Sequence, residues 1–343
     1  MKEQIGIGIV GVGIMGSKHA RIYSEISGAK IVAIADINLE KAKSVAAQYG
    51  AKAVSDYHEL LEMKEIDAMH IATPDHLHRD PVIDSLKSGK HVLVEKPMAT
   101  TVADAKEIVS ISEQTGCHVQ VNYTHRWAAP YAETERLIRS GEIGEGVMVY
   151  ARKNDKIWVA TKMMNWVERT SSASYLSTHD IDLVLWFLKT DVESVYAQGV
   201  KRVLKSKGVD TEDGIQALVK FTNGGIGTFE SSWILPDTMP TTTDSFIEIV
   251  GEKGTIHVDR IHEGLKVATQ DQYQFPKLSM NLEIDGKLRG ALRCSLENFV
   301  NALLTGTKPE PDAENGLKIV LVSSAIQESI KLNKQVTIKS LLD

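Results

Sequence analysis

The sequence predicts an α/β fold with an N-terminal doubly wound parallel sheet and a second domain built on a mostly antiparallel sheet. From residue 5 to about 122, short apolar runs alternate with helical patterns, as strands buried on both faces of a parallel sheet do. After about residue 124, longer segments alternate apolar and polar residues, and glycine-rich turns such as NGG (223–225) join them. This change predicts two domains, 1–123 and 124–343.

Strands and helices are predicted in strict alternation in the N-terminal domain. The predicted strands are 5–10, 30–36, 67–73, 91–95 and 118–123. The predicted helices are 15–26, 39–50, 79–89 and 101–116. Because a helix separates each pair of strands, we expect a parallel sheet covered on both faces.

The C-terminal domain is predicted to combine long strands with a few helices. The alternating segments are 192–203, 214–223, 225–235 and 245–259. The predicted helices are 130–141, 179–189, 292–304 and 313–332.

Composition argues against several classes of partner. The chain has 343 residues, a net charge of −6 and no tract rich in Lys or Arg, which argues against nucleic acid or an anionic membrane as a partner. The longest apolar run, 5–15, is too short to span a bilayer, and we expect no signal peptide. Only Cys117 and Cys294 are present, which suits a reducing, cytoplasmic compartment.

A glycine-rich loop follows the first strand and opens the first helix. The stretch GIVGVGIMG (8–16) contains Gly11-x-Gly13-x-x-Gly16, with Ile14 and Met15 inside the loop. In this context the motif predicts a Rossmann dinucleotide site: the glycines allow a tight turn and close packing, and the helix N-terminus faces the pyrophosphate. The alternative is a glycine-rich turn without a ligand.

Asp36 ends the second strand, twenty residues after Gly16. A carboxylate there would bond the ribose hydroxyls and repel a 2′-phosphate, which favours NAD over NADP. The alternative role is an N-cap for the helix that begins at Leu39.

Two further segments lie at the ends of predicted strands, at the same edge of the sheet. Ligands of doubly wound sheets bind at this edge. In ATPDHLH (72–78), Thr73, Pro74, His76 and His78 are expected to border the nicotinamide. The two histidines also suggest a metal site, but the segment holds no third ligand, so no metal is predicted.

The stretch HVLVEKPM (91–98) places Glu95, Lys96 and a proline at the end of an apolar strand. We expect both charged side chains to emerge beside the cofactor. The alternative is a structural ion pair at a strand end.

These motifs together resemble the Gfo/Idh/MocA oxidoreductases over essentially the whole chain. The resemblance is carried by GVGIMG with Asp36, by TPDHLH followed by VEKP, and by THDIDL (178–183). It implies a C-terminal α/β domain with a large open sheet that mediates dimers or tetramers. It also implies that Lys96 is the active-site lysine, often before a cis proline, and that His179 is the catalytic histidine. The implied substrates are sugars, sugar derivatives or cyclitols.

One position departs from the family pattern. Many members carry Asp four residues before the histidine, where this chain has Tyr175. Tyrosine is neutral near pH 7, which weakens the transfer of the inositol dehydrogenase mechanism and disfavours inositol itself as the substrate. Tyr175 shares a face with His179 only if the helix starts early.

The expected chemistry is oxidation of a secondary alcohol. His179 suits the base, and Lys96 would stabilise the developing alkoxide, with the two roles exchangeable and Glu95 holding Lys96 charged. Asp182 is expected to orient His179 or to cap its helix.

Five polar or aromatic side chains are expected to contact the substrate besides Lys96, Tyr175 and His179. Arg152 also allows for a phosphate or carboxylate on the substrate. For Trp166 the alternatives are ordinary packing or an oligomer contact. The five residues are Asn122, Arg126, Arg152, Asn154 and Trp166.

The leading hypothesis is therefore an NAD-dependent dehydrogenase acting on a ring hydroxyl of a sugar or cyclitol derivative. One alternative is an NAD-dependent glycosidase that oxidises its substrate transiently. Another is a non-enzymatic nucleotide-sensing regulator, which the retained Lys96 and His179 disfavour.

Overall fold

Two compact units make up the structure, a computed structural model that describes residues 2–342. The first unit contains the chain up to Thr124 together with Asn281–Leu317, and the second contains His125–Met280 and the chain from Lys318 onward. The sequence-based division assigned everything after residue 123 to the second domain. In the structure the segment Asn281–Leu317 groups with the first unit, because packing rather than chain order decides which unit a segment joins.

The N-terminal part of the first unit forms a six-stranded parallel sheet with the order β3-β2-β1-β4-β5-β6. Its strands are β1 (Ile5–Val10), β2 (Ala29–Ala35), β3 (Lys52–Val54), β4 (Ala68–Ile71), β5 (His91–Val94) and β6 (Val119–Val121). The predicted doubly wound parallel sheet is confirmed. The sequence prediction missed β3, which is three residues long and too short to show a pattern.

Helices connect these strands, and all of them except the four-residue helix His58–Leu61 were predicted. They are α1 (Ile14–Glu25), α2 (Leu39–Ala46), α3 (His58–Leu61), α4 (Arg79–Lys87) and α5 (Val102–Thr115). Asn38 caps α2 by accepting a hydrogen bond from the Lys41 backbone N–H, and Thr101 caps α5 in the same way from Asp104.

The second unit contains two longer helices and a seven-stranded mixed sheet. In chain order its elements up to residue 280 are α6 (Ala129–Arg139), β7 (Gly146–Lys156), α7 (Thr178–Leu188), β8 (Val192–Val200), β9 (Gly214–Phe221), β10 (Ile226–Leu235), β11 (Thr243–Gly251), β12 (Thr255–Asp259), β13 (Val267–Ala268) and β14 (Tyr273–Gln274). The strand order is β12-β11-β7-β10-β9-β8-β17, where β17 is Val336–Thr337. Only β7 and β10 pair in parallel, so the prediction of a mostly antiparallel sheet is confirmed.

Strand β7 lies inside this sheet, between β11 and β10, although its alternation is hard to recognise in the sequence. Val149 and Ala151 are buried on one face, and the next residues on that face are Lys153 and Asp155. Two buried charges at the end of the strand replace the apolar residues that the pattern requires.

The chain then returns to the first unit through β15 (Leu282–Ile284), β16 (Lys287–Arg289) and α8 (Ala291–Thr305), and it leaves again within α9 (Ala313–Leu332). Four side chains of α8 lie in the same buried cluster as Ile7 of β1 and Tyr23 of α1. Burying one such side chain contributes about 1.5–3 kcal/mol, which explains why α8 belongs to this unit. The four are Leu292, Leu296, Phe299 and Val300.

One face of the second unit's sheet is rich in exposed apolar side chains. They lie on adjacent strands: Met148 pairs with Ile226, and Leu218 pairs with Tyr196. Each is between 43% and 52% exposed. We refer to these four residues as the open face. Among residues 2–342, no helix is long and apolar enough to cross a bilayer.

Candidate active site

The glycine-rich loop lies between β1 and α1 and has the backbone geometry that a dinucleotide site needs. Gly11 has φ +86°, a value that side-chain-bearing residues rarely adopt. A Cβ on Gly16 would lie 1.9 Å from the Gly11 carbonyl oxygen, so only glycine fits. At Gly13 nothing lies within 4 Å of the position of a Cβ, which leaves this backbone open to a ligand. These residues fit the predicted phosphate contact.

Asp36 is tied to this loop. Its carboxylate accepts hydrogen bonds from the backbone N–H groups of Val12 and Asn38, each at 2.9 Å. Because Asn38 supplies the cap of α2, the alternative role of Asp36 as that N-cap is wrong. The carboxylate thus fixes the end of β2 against the glycine-rich loop.

His78 connects the two other segments at this edge of the sheet. Its ring is buried, with Nδ1 2.8 Å from the Pro97 carbonyl oxygen and Nε2 3.0 Å from that of Thr73. Burial lowers the pKa of His78, and the neutral ring can donate to only one of these carbonyls at a time. The side chain braces the segment after β4 against the segment after β5. His76 and Pro74 are half-buried nearby in sequence, and their predicted cofactor contacts stay predictions.

The Glu95 carboxylate lies at the end of β5 in a hydrogen-bond network. Asn122 Nδ2 donates to Glu95 Oε1 at 2.7 Å, and Ser295 Oγ of α8 donates to Asn122 Oδ1 at 2.7 Å. The Lys96 backbone N–H donates to Glu95 Oε2 at 3.3 Å. Asn122 is 1% exposed and bonded through both ends of its amide, so its placement does not support the predicted substrate contact.

The charge on Glu95 is set by opposing effects. Burial raises the pKa of Glu95, whereas the Asn122 hydrogen bond and the charge of Lys96 act to lower it. Lys96 is half-buried, and the Lys96–Pro97 peptide bond is cis, as the family resemblance implied. The Glu95–Lys96 pair therefore lies where the sequence predicted it, at the carboxyl end of a central strand.

Two histidines that the sequence analysis did not single out lie beside Glu95. His19 Nε2 is 3.3 Å from Glu95 Oε1, and the rings of His19 and His70 have centroids 4.4 Å apart. Burial lowers the pKa of His19 to about 3 and that of His70 well below its usual value. Histidine in the otherwise apolar strand DAMHIAT was the signal for His70, because a polar residue in a core strand needs a partner.

His179 and Tyr175 both belong to the helical segment that leads into the second unit's α7. His179 is the second residue of α7, and Tyr175 lies in the π-helical turn Ala173–Ser177 that precedes it directly. The helix therefore starts early, which is the condition for Tyr175 to share its face with His179. Turns of this kind are frequent at functional sites. The ring of His125 lies 4.2 Å from that of His179, a neighbour that the sequence analysis missed.

Arg126 and Asp182 form a buried ion pair. Arg126 Nε lies 3.0 Å from Asp182 Oδ2, Arg126 Nη2 lies 2.6 Å from Oδ1, and the Asp182 side chain is fully buried. Burial raises the pKa of Asp182, and the guanidinium opposes that effect. This placement favours a structural role for Arg126 over the predicted sugar contact. Asp182 bonds Arg126, and the predicted orientation of His179 by Asp182 stays untested.

Three consecutive side chains at the end of β7 lie on two different faces of the sheet. Lys153 lies on the face toward α7, with its Nζ 2.9 Å from Asp180 Oδ1. Because side chains alternate along a strand, Arg152 and Asn154 lie on the other face. There Arg152 pairs with Asp244 at 3.0 Å, and Asn154 donates to a glutamate. This placement does not support the predicted substrate contacts of Arg152 and Asn154, and the sequence analysis overlooked Lys153.

Trp166 is half-buried and packs against the apolar cluster around Trp233. This contact matches the packing alternative for Trp166.

The comparisons with known proteins assign the chain to a family. Residues 5–123 match the NAD-binding Rossmann fold of the Gfo/Idh/MocA oxidoreductase family, and residues 135–338 match the family's C-terminal alpha/beta domain. The chain belongs to this family, and it is an NAD(P)-dependent oxidoreductase acting on CH–OH groups. The predicted class of enzyme is confirmed.

Individual relatives cover nearly the whole chain. An inositol 2-dehydrogenase of Rubrobacter xylanophilus is 28% identical over 96% of this chain and 92% of its own length. A scyllo-inositol 2-dehydrogenase (NAD(+)) of Bacillus subtilis is 26% identical over 90% of this chain and 89% of its own length. The crystal structure of scyllo-inositol dehydrogenase from Lactobacillus casei, with bound NAD(H) and scyllo-inositol, has a TM-score of 0.85 at 22% identity. That match covers 98% of this chain and 99% of the other and supports the same fold.

The Arg126–Asp182 pair generates a prediction about stability. Replacing Arg126 by leucine leaves a buried carboxylate without its partner, and we expect the free energy of unfolding to fall by about 3–5 kcal/mol. The pKa of Asp182 is already raised by burial, so the folded variant binds a proton more tightly than the unfolded chain. The loss of unfolding free energy relative to the parent protein therefore becomes smaller as the pH falls. Urea unfolding at several pH values measures both effects.

The double variant Arg126→Leu/Asp182→Leu is the control, because removing both charges restores most of the lost stability. If the Arg126→Leu variant keeps the stability of the parent but has a raised KM for the substrate, this would instead indicate that Arg126 contacts the substrate.

Proposed function

We propose that this enzyme oxidises a secondary ring hydroxyl of a cyclitol or closely related sugar with NAD as the hydride acceptor. The observation that carries the proposal is the similarity to inositol 2-dehydrogenases over 96% of the chain, together with Lys96 at the end of β5. Tyr175 is the reason to keep related sugars in the substrate class, since many family members have a carboxylate at that position.

Lys96 is proposed to stabilise the charge that develops on the substrate oxygen. An ammonium beside an alcohol oxygen favours the alkoxide, and this effect is strong where water is excluded. The half-buried Lys96 side chain and the neighbouring Glu95 carboxylate suit this role. Asn122 and Ser295 act indirectly, by holding the Glu95 carboxylate in one orientation.

His179 is proposed to accept the hydroxyl proton. An imidazole titrates near neutral pH and therefore suits a general base. Its place in the first turn of α7 and its ring contact with His125 restrict the orientation of the ring. The proton thus goes to His179 while the hydride leaves the substrate carbon.

The cofactor would be held by residues of the first unit. The glycine-rich loop and the start of α1 fit a pyrophosphate, and Asp36 fits an adenosine ribose. When bound, NAD supplies the electrophilic ring carbon that takes the hydride.

A screen of candidate substrates tests the reaction. We expect the parent enzyme to reduce NAD with at least one member of a panel of inositols, free sugars, sugar phosphates and glycosides. Lys96→Ala and His179→Ala should lower kcat by a factor of about 10²–10⁴, the usual contribution of a positioned acid or base. NADH absorbance between pH 6 and pH 10 is the measurement.

His118→Ala and Lys87→Ala are matched controls outside the proposed site and should keep parent turnover. Tyr175→Phe and Tyr175→Asp separate packing from chemistry, and unchanged pH profiles in both would assign Tyr175 to packing. Absence of NAD reduction with the whole panel would contradict the proposal. Glycoside cleavage without net NADH would favour the glycosidase alternative.

NAD is proposed as the preferred cofactor because Asp36 would repel a 2′-phosphate. Asp36→Asn removes the charge but keeps one oxygen to accept from the loop. We expect the ratio of kcat/KM for NADP to that for NAD to rise on the order of tenfold, about 1.4 kcal/mol of discrimination. Asp56→Asn, an exposed carboxylate of the same unit, should leave the ratio unchanged. A ratio that does not move in Asp36→Asn would exclude Asp36 as the selecting residue.

The open face is proposed to bind a second copy of the chain, in a homodimer or homotetramer. Its four apolar side chains are contiguous across adjacent strands, and exposed patches of this kind mark interfaces. Leu218→Glu should lower the molar mass in solution, as measured by light scattering after gel filtration, whereas Leu265→Glu should leave it unchanged. A parent protein that is monomeric at all concentrations would contradict the proposal.

A reducing compartment such as the cytoplasm is proposed as the location, because Cys117 and Cys294 are both free thiols.

A further inference from the structure

Two buried histidines and one half-buried glutamate of the first unit bring metal-binding atoms together. His19 of α1, His70 of β4 and Glu95 after β5 each offer one donor atom, and these atoms all lie within 4.8 Å of one another. They come from three elements far apart in sequence. Among residues 2–342 this is the one group of three histidine, cysteine or carboxylate side chains with such proximity, and His76 and His78 are not part of it.

Three of the four ring nitrogens of these two histidines lack ordinary hydrogen-bond partners. His19 and His70 are fully buried. Both ring nitrogens of His19 and the Nε2 atom of His70 nevertheless lack a hydrogen-bond partner of acceptable geometry. Leaving a buried polar atom unpaired is costly, so such atoms call for an explanation. A bound cation would pair with the free lone pairs.

The distances suit zinc. Tetrahedral Zn²⁺ binds histidine nitrogen and carboxylate oxygen at about 2.0–2.2 Å, which separates neighbouring ligand atoms by roughly 3.3 Å. His19 Nε2 and Glu95 Oε1 are already 3.3 Å apart. A closing movement of at most about 1.5 Å would bring every pair to the separation that this geometry requires.

The surroundings hold each ligand in a suitable state. The Tyr23 hydroxyl lies 3.0 Å from His70 Nδ1, which leaves Nε2 as the nitrogen for a metal. Asn122 donates to Glu95 and orients the carboxylate. The Glu95 side chain is 13% exposed, so an ion can reach the site past Glu95.

We propose that His19, His70 and Glu95 form a binding site for one divalent transition-metal ion, with Zn²⁺ as the best match. The site shares Glu95 with the surroundings of Lys96, but neither Lys96 nor His179 belongs to it. Because Glu95 neighbours Lys96, metal binding draws this carboxylate away from Lys96 and inhibits the enzyme. The inhibition rests on the proposed function, whereas the binding does not.

Metal binding is tested on the full-length, untagged chain by equilibrium dialysis against Zn²⁺ and by the visible spectrum with Co²⁺. We expect one Zn²⁺ per chain, intense bands of four-coordinate Co²⁺, and loss of both in His70→Leu. Tyr23→Phe, which removes only the bond to His70, should weaken binding about 10–100-fold. His58→Gln removes an exposed histidine next to Asp56 and serves as the control that should bind like the parent.

Parent protein that binds no Zn²⁺ at about 100 μM, or Co²⁺ bound without the intense bands, overturns the proposal. So does unchanged stoichiometry in a folded His70→Leu variant. If His70→Leu does not fold, unaltered affinity in Tyr23→Phe counts against the site. Zn²⁺ should also inhibit NAD reduction in the parent and in His58→Gln. Binding without inhibition would overturn the inhibitory part alone, whatever the substrate proves to be.

Discussion

The chemistry of the first unit depends on how a carboxylate is held at the end of a buried strand. Glu95 is largely removed from water, which raises its pKa, and it remains there because Asn122 and the Lys96 backbone donate to it. The support continues to Ser295, which lies 173 residues after Asn122 in the chain. The orientation of the Glu95 carboxylate at this strand end therefore depends on α8, which lies outside residues 1–123.

The second unit accommodates its charges by pairing them. Asp180 and Asp182 are both fully buried in α7, and each has its own basic partner, Lys153 and Arg126. Such pairs add little net stability but make the removal of one partner expensive, so they fix the position of the helix that carries His179. His179, the proposed base, is half-buried and is not a member of either pair.

Local patterns predicted much of the fold and only part of the site. The parallel sheet, the glycine-rich loop and the position of Lys96 follow from apolar runs and motif spacing, because they are properties of contiguous residues. Substrate contacts were predicted for Arg152 and Asn154 although the sequence did not reveal the pleat of β7. In the structure that pleat directs the two side chains to Asp244 and Glu230. Asn122 and His70 depend on partners distant in sequence, such as Ser295 and Tyr23, which no local pattern reveals.

The return of the chain to the first unit has a consequence for synthesis on the ribosome. The strands and helices up to residue 123 emerge first, but the apolar side chains of α8 that complete their core emerge about 170 residues later. At roughly 5–20 residues per second, the nascent sheet would wait on the order of ten seconds with part of its core uncovered. A fragment ending at residue 123 would keep that surface exposed permanently. We therefore do not expect a single cut of the chain at this point to release a stable Rossmann domain.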